Sequence, residues 1–324
     1  MELTIVTAYF DIGRESFKGY ERGNSKYINY FRFWARMKNN LIVYTSLEFK
    51  NEIEEIRKSF GLLNKTKVVV IDDYKNFDKL LYEKIKNAMD NEIALNFHND
   101  VKRPESWNAD YNFIMLLKSY CIVDAIMKGY AEGMIAWLDF GFNHGGSDGL
   151  INEKEFDFVW NYDFEEKINL FSYQKLDNYR PIFDIVRSMD VYIRGNIIVA
   201  PDYLWKEFNI LSKKAMKSLV DCGLCDDDQT ICLMAYREKK EIFKINNVKK
   251  WYDGLKCFGG EHLTVRTEKE EKNRSYRIYK ERARYYLLDG KYSLAKKYYK
   301  MYLKEKINIK TQRKKNSILW KNIY

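Results

Sequence analysis

A chain of 324 residues, 46% of them hydrophobic, has room for one large α/β domain with an appendage and for an ample core. Five cysteines, an odd number, argue against a disulfide framework, and Cys222 and Cys225 form a lone CxxC with no second pair at zinc-finger spacing. The formal net charge of +10 resides at one end, since Glu281 to Tyr324 holds 13 Lys and Arg against 3 Asp and Glu.

The first residues lack the basic start and apolar core of a signal peptide, and no run reaches the roughly eighteen apolar residues of a spanning helix. A cytoplasmic location is therefore expected. Residues 3–9 read as a first strand running into a loop with Asp11, Gly13 and Arg14. Helical spacing over 27–37 precedes a strand over 41–44, and the alternation repeats as helix 49–60, strand 67–71 and helix 77–89. Such alternation predicts a parallel sheet covered by helices.

Residues 91–111, polar and containing Pro104 and Trp107, read as helix ends and loop. An apolar helix over 113–128 and a buried strand over 134–138 follow, and the strand delivers Asp139 at its carboxyl end, where open α/β sheets bind ligands. Gly141, Gly145, Gly146 and Gly149 then form a loop. Beyond it the pattern predicts short strands over 156–178, a strand pair over 190–200, one or two helices over 202–222, and a helix from Asp227 to Tyr236 whose acidic start suits its dipole. Residues 274–304 resemble one tetratricopeptide-type helical hairpin with Gly290 at the turn. The predicted division is a core domain over 1–265 and a basic, aromatic helical tail over 266–324.

Two carboxylate stretches stand beside apolar runs: Trp137-Leu138-Asp139-Phe140-Gly141 and Asp226-Asp227-Asp228-Gln229. Charged carboxylates in such places are costly unless a cation or hydrogen bonds compensate them, which marks them as candidates for chemistry. Together they point to a metal-assisted transferase acting on a nucleotide-sugar. A divalent cation, Mn2+ or Mg2+, neutralises a diphosphate and assists its departure. Asp139 is the first candidate ligand and His262 the second, with His144 competing. Transfer with inversion needs a base opposite the leaving group, a role open to Asp228 or Asp227. The plainer reading of the triple Asp is a helix cap.

Residues 4–14, the Tyr30-to-Trp34 run and Trp137-Leu138-Asp139-Phe140-Gly141 resemble the HtrL/YibB family of bacterial surface-polysaccharide proteins. The layout, with Asp-Asp-Gln late in the core, is similar to GT-A glycosyltransferases. That resemblance implies a GT-A-like α/β fold and transfer of a sugar from a nucleotide-linked donor such as a UDP-sugar. The acceptor it implies is a hydroxyl of a surface glycan such as lipooligosaccharide or capsule, free or lipid-linked. It also implies that Thr7, Ala8, Tyr9 and Arg14 lie against the nucleotide, with Lys118, Asp139 and Gly141 on the donor side. The class carries Asp-x-Asp where this chain has Asp139-Phe140-Gly141, so a glycine replaces the second carboxylate. The basic tail admits three readings: a nucleic-acid partner, which leaves the Asp motifs unexplained and is not expected, an anionic membrane surface on the cytoplasmic side, or, on an equal footing with the membrane, a solvated helical face.

Overall fold

The computed structural model describes residues 2–146, 148–161, 163–177, 179–256, 259–266, 279–280, 282–288 and 290–321. The chain divides into two compact units, Met1–Gly146 with Ile151–Thr264, and Ser147–Leu150 with Val265–Tyr324.

The first unit is built on a seven-stranded mixed sheet. Its strands are β1 (Thr4–Tyr9), β2 (Leu41–Thr45), β3 (Thr66–Val70), β4 (Met134–Leu138), β5 (Ile168–Ser172), β6 (Ile193–Pro201) and β7 (Phe243–Asn247), in spatial order β3-β2-β1-β4-β6-β5-β7. β1 pairs in parallel with β2 on one side and β4 on the other, so the sheet reverses its winding there and leaves a crevice at the strands' carboxyl ends. β6 is antiparallel to β4 and β5, while β5 and β7 are parallel.

Helices α1 (Asn24–Trp34), α2 (Leu47–Ser59) and α3 (Lys79–Met89) connect the early strands much as the alternation predicts. α4 (Ala109–Met127) starts at Asn108, whose Oδ1 accepts from the Tyr111 N–H at 2.7 Å, and it is buried on several faces through Phe113, Leu117, Tyr120 and Ile122. α5 (Ile182–Ser188), α6 (Asp202–Asp221) and α7 (Asp228–Glu238) complete the first unit's longer helices. Leu116, Leu117, Cys121, Ile135, Ile198, Trp205, Phe208 and Ile231 belong to one continuous apolar core between sheet and helices.

Two expectations are corrected. The strand pair over 190–200 is one nine-residue strand, β6, fully buried and paired along both edges. Gly195, the third residue of the strand, marks a close approach of another element. Residues 202–221 form a single helix, one of the two alternatives the pattern leaves open, while α5 and β7 have no counterpart in the sequence pattern. The 156–178 stretch contributes one strand to the large sheet.

In the second unit, helical residues 282–288 and α8 (Tyr292–Lys321) flank Gly290, whose φ of +70° suits glycine. The Tyr286 and Tyr298 rings stack at 5.4 Å and 13° between the two helices, which makes the hairpin. Residues 274–278 of the expected hairpin lie outside the described residues, as does Cys257. Cys121, Cys222, Cys225 and Cys232 are free thiols.

Candidate active site

At the crevice between β1 and β4 the first unit opens a cavity of about 410 Å³. β1 and its following loop supply Ala8, Tyr9, Asp11 and Arg14. β4 and its loop supply Trp137, Asp139, Gly141 and His144, β6 supplies Arg194, Gly195 and Asn196, and the start of α7 supplies Asp227 and Asp228. A volume of this size suits a small molecule bearing several rings.

Lys118, on α4 and 3% exposed, organises the floor. Its Nζ donates to Asp228 Oδ2 at 2.5 Å, to Asp139 Oδ1 at 2.9 Å and to the Gly195 carbonyl at 2.8 Å. An ammonium has three donors, so all three are engaged. Burial pulls this ammonium down, but Asp139 and Asp228 outweigh it and hold the group above its ordinary value. Trp137 Nε1 also donates to Asp139 Oδ1, at 2.6 Å. Gly195 permits the arrangement, because a Cβ there would lie 1.3 Å from Asp228 Oδ2.

The three consecutive aspartates do different work. Asp226 Oδ2 accepts from the Thr230 hydroxyl at 2.7 Å, and Asp227 Oδ1 caps α7 by accepting from the Gln229 N–H at 3.0 Å. Capping is therefore real, and it falls on Asp227 rather than on Asp228. Burial lifts all three carboxyls: Asp226 is pushed up to about 7, and Asp227, with Asp228 and Asp226 adding, stands well above the carboxylate range. Burial raises Asp228 as well, with Lys118 opposing and Asp139 adding.

The walls are cationic and aromatic. The Arg194 guanidinium sits 4.1 Å from the Tyr173 ring centroid and 4.3 Å from that of Trp251, and its Nη1 donates to the Lys250 carbonyl at 2.9 Å. Arg14 Nη1 donates to the Tyr27 hydroxyl at 2.6 Å, with its guanidinium 5.2 Å from the Tyr111 ring centroid. Burial, reinforced by Arg22, Arg14 and Arg194, drives the His144 imidazole down to about 3, so the ring is neutral. Its Nδ1 accepts from the Gly146 N–H at 3.1 Å, which puts the proton on Nε2.

Of the residues singled out in the sequence, Ala8, Tyr9, Arg14, Lys118, Asp139, Gly141, Asp227 and Asp228 line this one cavity, as does His144. Two do not. Thr7 is buried within β1, opposite Val43 of β2 and deeper in the sheet than Ala8 and Tyr9, the last residues of the strand, where the cavity begins. His262 Nε2 lies 2.7 Å from the Glu155 carbonyl oxygen and its ring packs on Phe158, so the expected Asp139–His262 pair is not formed. The pattern also missed Arg194, Gly195 and Asn196; the signal was there, two polar residues and a glycine interrupting an apolar strand.

Mn2+ and Mg2+ need several oxygen ligands. The described residues hold no group of three or more His, Cys, Asp or Glu side chains that could hold a metal ion. Asp139 Oδ1 already accepts from two donors, and His144 in the tautomer above offers a cation no lone pair. Asp139 Oδ2 remains as a single carboxylate oxygen, so among the described residues the side chains alone do not make a cage that would hold a divalent cation without ligand oxygens. Gly141 explains the altered Asp-x-Asp: a Cβ there would stand 2.9 Å from Tyr27 Cε1.

The family described as "Bacterial protein of unknown function (HtrL_YibB)" matches residues 1–260. Protein HtrL of Escherichia coli strain K12 is 32% identical over 283 residues, covering 82% of this chain and 95% of the relative. Among solved structures, apo mouse xyloside xylosyltransferase 1 is similar with a TM-score of 0.41 and 13% identity over 78% of this chain and 90% of its own. The PaToxG glycosyltransferase follows with 0.34 and 14%, over 74% and 70%. Likeness this loose carries no argument about chemistry.

Proposed function

Since the chain belongs to the HtrL/YibB family and gathers carboxylates, arginines and aromatic rings in one crevice, we propose that it is a glycosyltransferase. In this reading it moves a sugar from a nucleoside-diphosphate donor, UDP-linked in the first instance, to a hydroxyl of a bacterial surface glycan or its lipid-linked precursor. The observation that carries the reading is the convergence of Asp139, Asp227 and Asp228 with Tyr9, Tyr111, Tyr173 and Trp251 at the carboxyl ends of β1 and β4. Rings suit a base and sugar faces, and cations suit phosphates.

Transfer is assigned to inversion. The acceptor oxygen forms a bond to the anomeric carbon as the bond to the diphosphate breaks; the acceptor proton passes to Asp228, and the nucleoside diphosphate leaves with the electron pair. Asp228 is the better base because Lys118 opposes its protonation, whereas nothing of comparable strength does so for Asp227. Asp227, fixed as the helix cap, orients the acceptor hydroxyl.

α8 exposes Tyr292, Tyr299, Leu303 and Ile307 at helical spacing, with Lys296, Lys300 and Lys304 alongside, a face suited to anionic lipid. No helix among the described residues is long and apolar enough to cross a membrane.

A thermal-shift screen with UDP, GDP, CMP and their sugars tests the proposal. A hundredfold excess over the dissociation constant stabilises by about 2.7 kcal/mol, and turnover of the stabilising donor by wild type but not by Asp228→Asn completes the case. The absence of a shift with every nucleotide would overturn it.

A further inference from the structure

Beside Lys118 the cavity is lined by three arginines, Arg14, Arg22 and Arg194, and by the Asn196 amide. Asp139 and Asp228 are occupied by Lys118, which has no donor left over. Neither Arg14 nor Arg22 has a carboxylate within ion-pair distance among the described residues, and the buried Arg14 Nε has no acceptor. Arg194, 3% exposed, is held rigidly between two rings. Beside it Asn196, 5% exposed, presents a buried Nδ2 with no acceptor. A buried amide donor left unmade costs on the order of 1–3 kcal/mol, so a ligand oxygen at this place would be favoured.

Three guanidiniums and an amide donor around one cavity make an anion-binding wall. Guanidinium donors match phosphate oxygens in pairs, and they stay charged at every working pH. Asp139, Asp227 and Asp228 line the same cavity, and the described residues form no group of three or more side chains that could cage a cation. We propose that Arg14, Arg22 and Arg194, with Asn196 donating beside them, bind and neutralise the diphosphate of the ligand in place of a divalent cation. The inference rests on the glycosyltransferase reading for the rest of the donor, but not for the diphosphate itself.

Calorimetric titration of the full chain with UDP, GDP and inorganic pyrophosphate, each in EDTA and again in Mn2+, tests it. The expected result is binding in EDTA with a dissociation constant within about threefold of that in Mn2+, weakened at least tenfold by Arg22→Ala in both. Arg22 is half-buried, so its loss leaves the core intact; Arg194→Lys is the second variant, retaining charge but not the two-ring stack, and is expected to weaken binding as well. Binding that appears only with Mn2+, or that Arg22→Ala and Arg194→Lys leave unchanged, overturns the proposal. Pyrophosphate binding in EDTA without UDP or GDP binding supports the arginine wall while removing the nucleotide reading. No binding by any of the three in either condition sinks both.

Discussion

Gly195 and Asp228 share one space: the position a Cβ would take on the strand residue lies 1.3 Å from the carboxylate oxygen that Lys118 holds. β6 can approach α7 this closely only where the strand has no side chain.

Gly195→Ala should therefore expel Asp228 from its place. We expect a loss of about 1–3 kcal/mol from overpacking, together with collapse of donor turnover. Unfolding in urea measures the first, and the same substitution in an Asp228→Ala background should cost markedly less. Equal costs in both backgrounds would show that the two residues do not contend.

Lys118→Met leaves two carboxylates facing each other without their cation. Breaking a buried ion pair on one side costs about 3–5 kcal/mol, so this variant should be among the least stable single substitutions in the first unit. A denaturation midpoint close to wild type would contradict the role given to Lys118.

Asp228→Asn should lower kcat about 10²–10⁴-fold while the donor dissociation constant changes little, as expected for loss of a base rather than of a binding group. Asp227→Asn should act more on acceptor KM. A reversed pattern would exchange the two assignments.

Acid should stabilise the protein around Asp226. Burial, opposed by the Thr230 hydroxyl, lifts its carboxyl to about 7, against about 4 when unfolded. The folded state binds this proton more tightly, so the contribution is present below about pH 4 and is lost as pH rises through 7. The slope for one proton is at most about 1.4 kcal/mol per pH unit. Thermal midpoints from pH 5 to 8 should fall less steeply in Asp226→Asn; parallel curves would refute the assignment.

Removal of residues 304–324 should weaken association with anionic liposomes and leave neutral liposomes and donor turnover unaffected. Each basic residue near the surface contributes about 1 kcal/mol. Identical binding of both chains to anionic vesicles would reject a membrane role for α8.

The early fold was legible because β1 to β4 and their helices obey simple periods, and Asp139 was legible because a carboxylate ends an apolar run. The triple Asp announced a site, but not which member caps, which pairs and which faces the cavity; that division depends on Lys118, brought from a distant helix. α5 and β7 are short, seven and five residues, and even the alternation of Phe243-Lys244-Ile245-Asn246 spans too little chain to stand out, while Arg194-Gly195-Asn196 interrupts the apolar run of β6. His262 had the right chemistry in the wrong neighbourhood, which no spacing rule could reveal.

The near contact between Gly141 and the Tyr27 ring reaches beyond local packing. Restoring an aspartate at 141 by a single change would push aside the ring whose hydroxyl anchors Arg14, so the gain of a carboxylate and the loss of a phosphate-facing cation arrive together. Related sequences are accordingly expected to carry either a small residue at 141 with an aromatic at 27, or an acid at 141 with a slighter neighbour, and seldom a mixture.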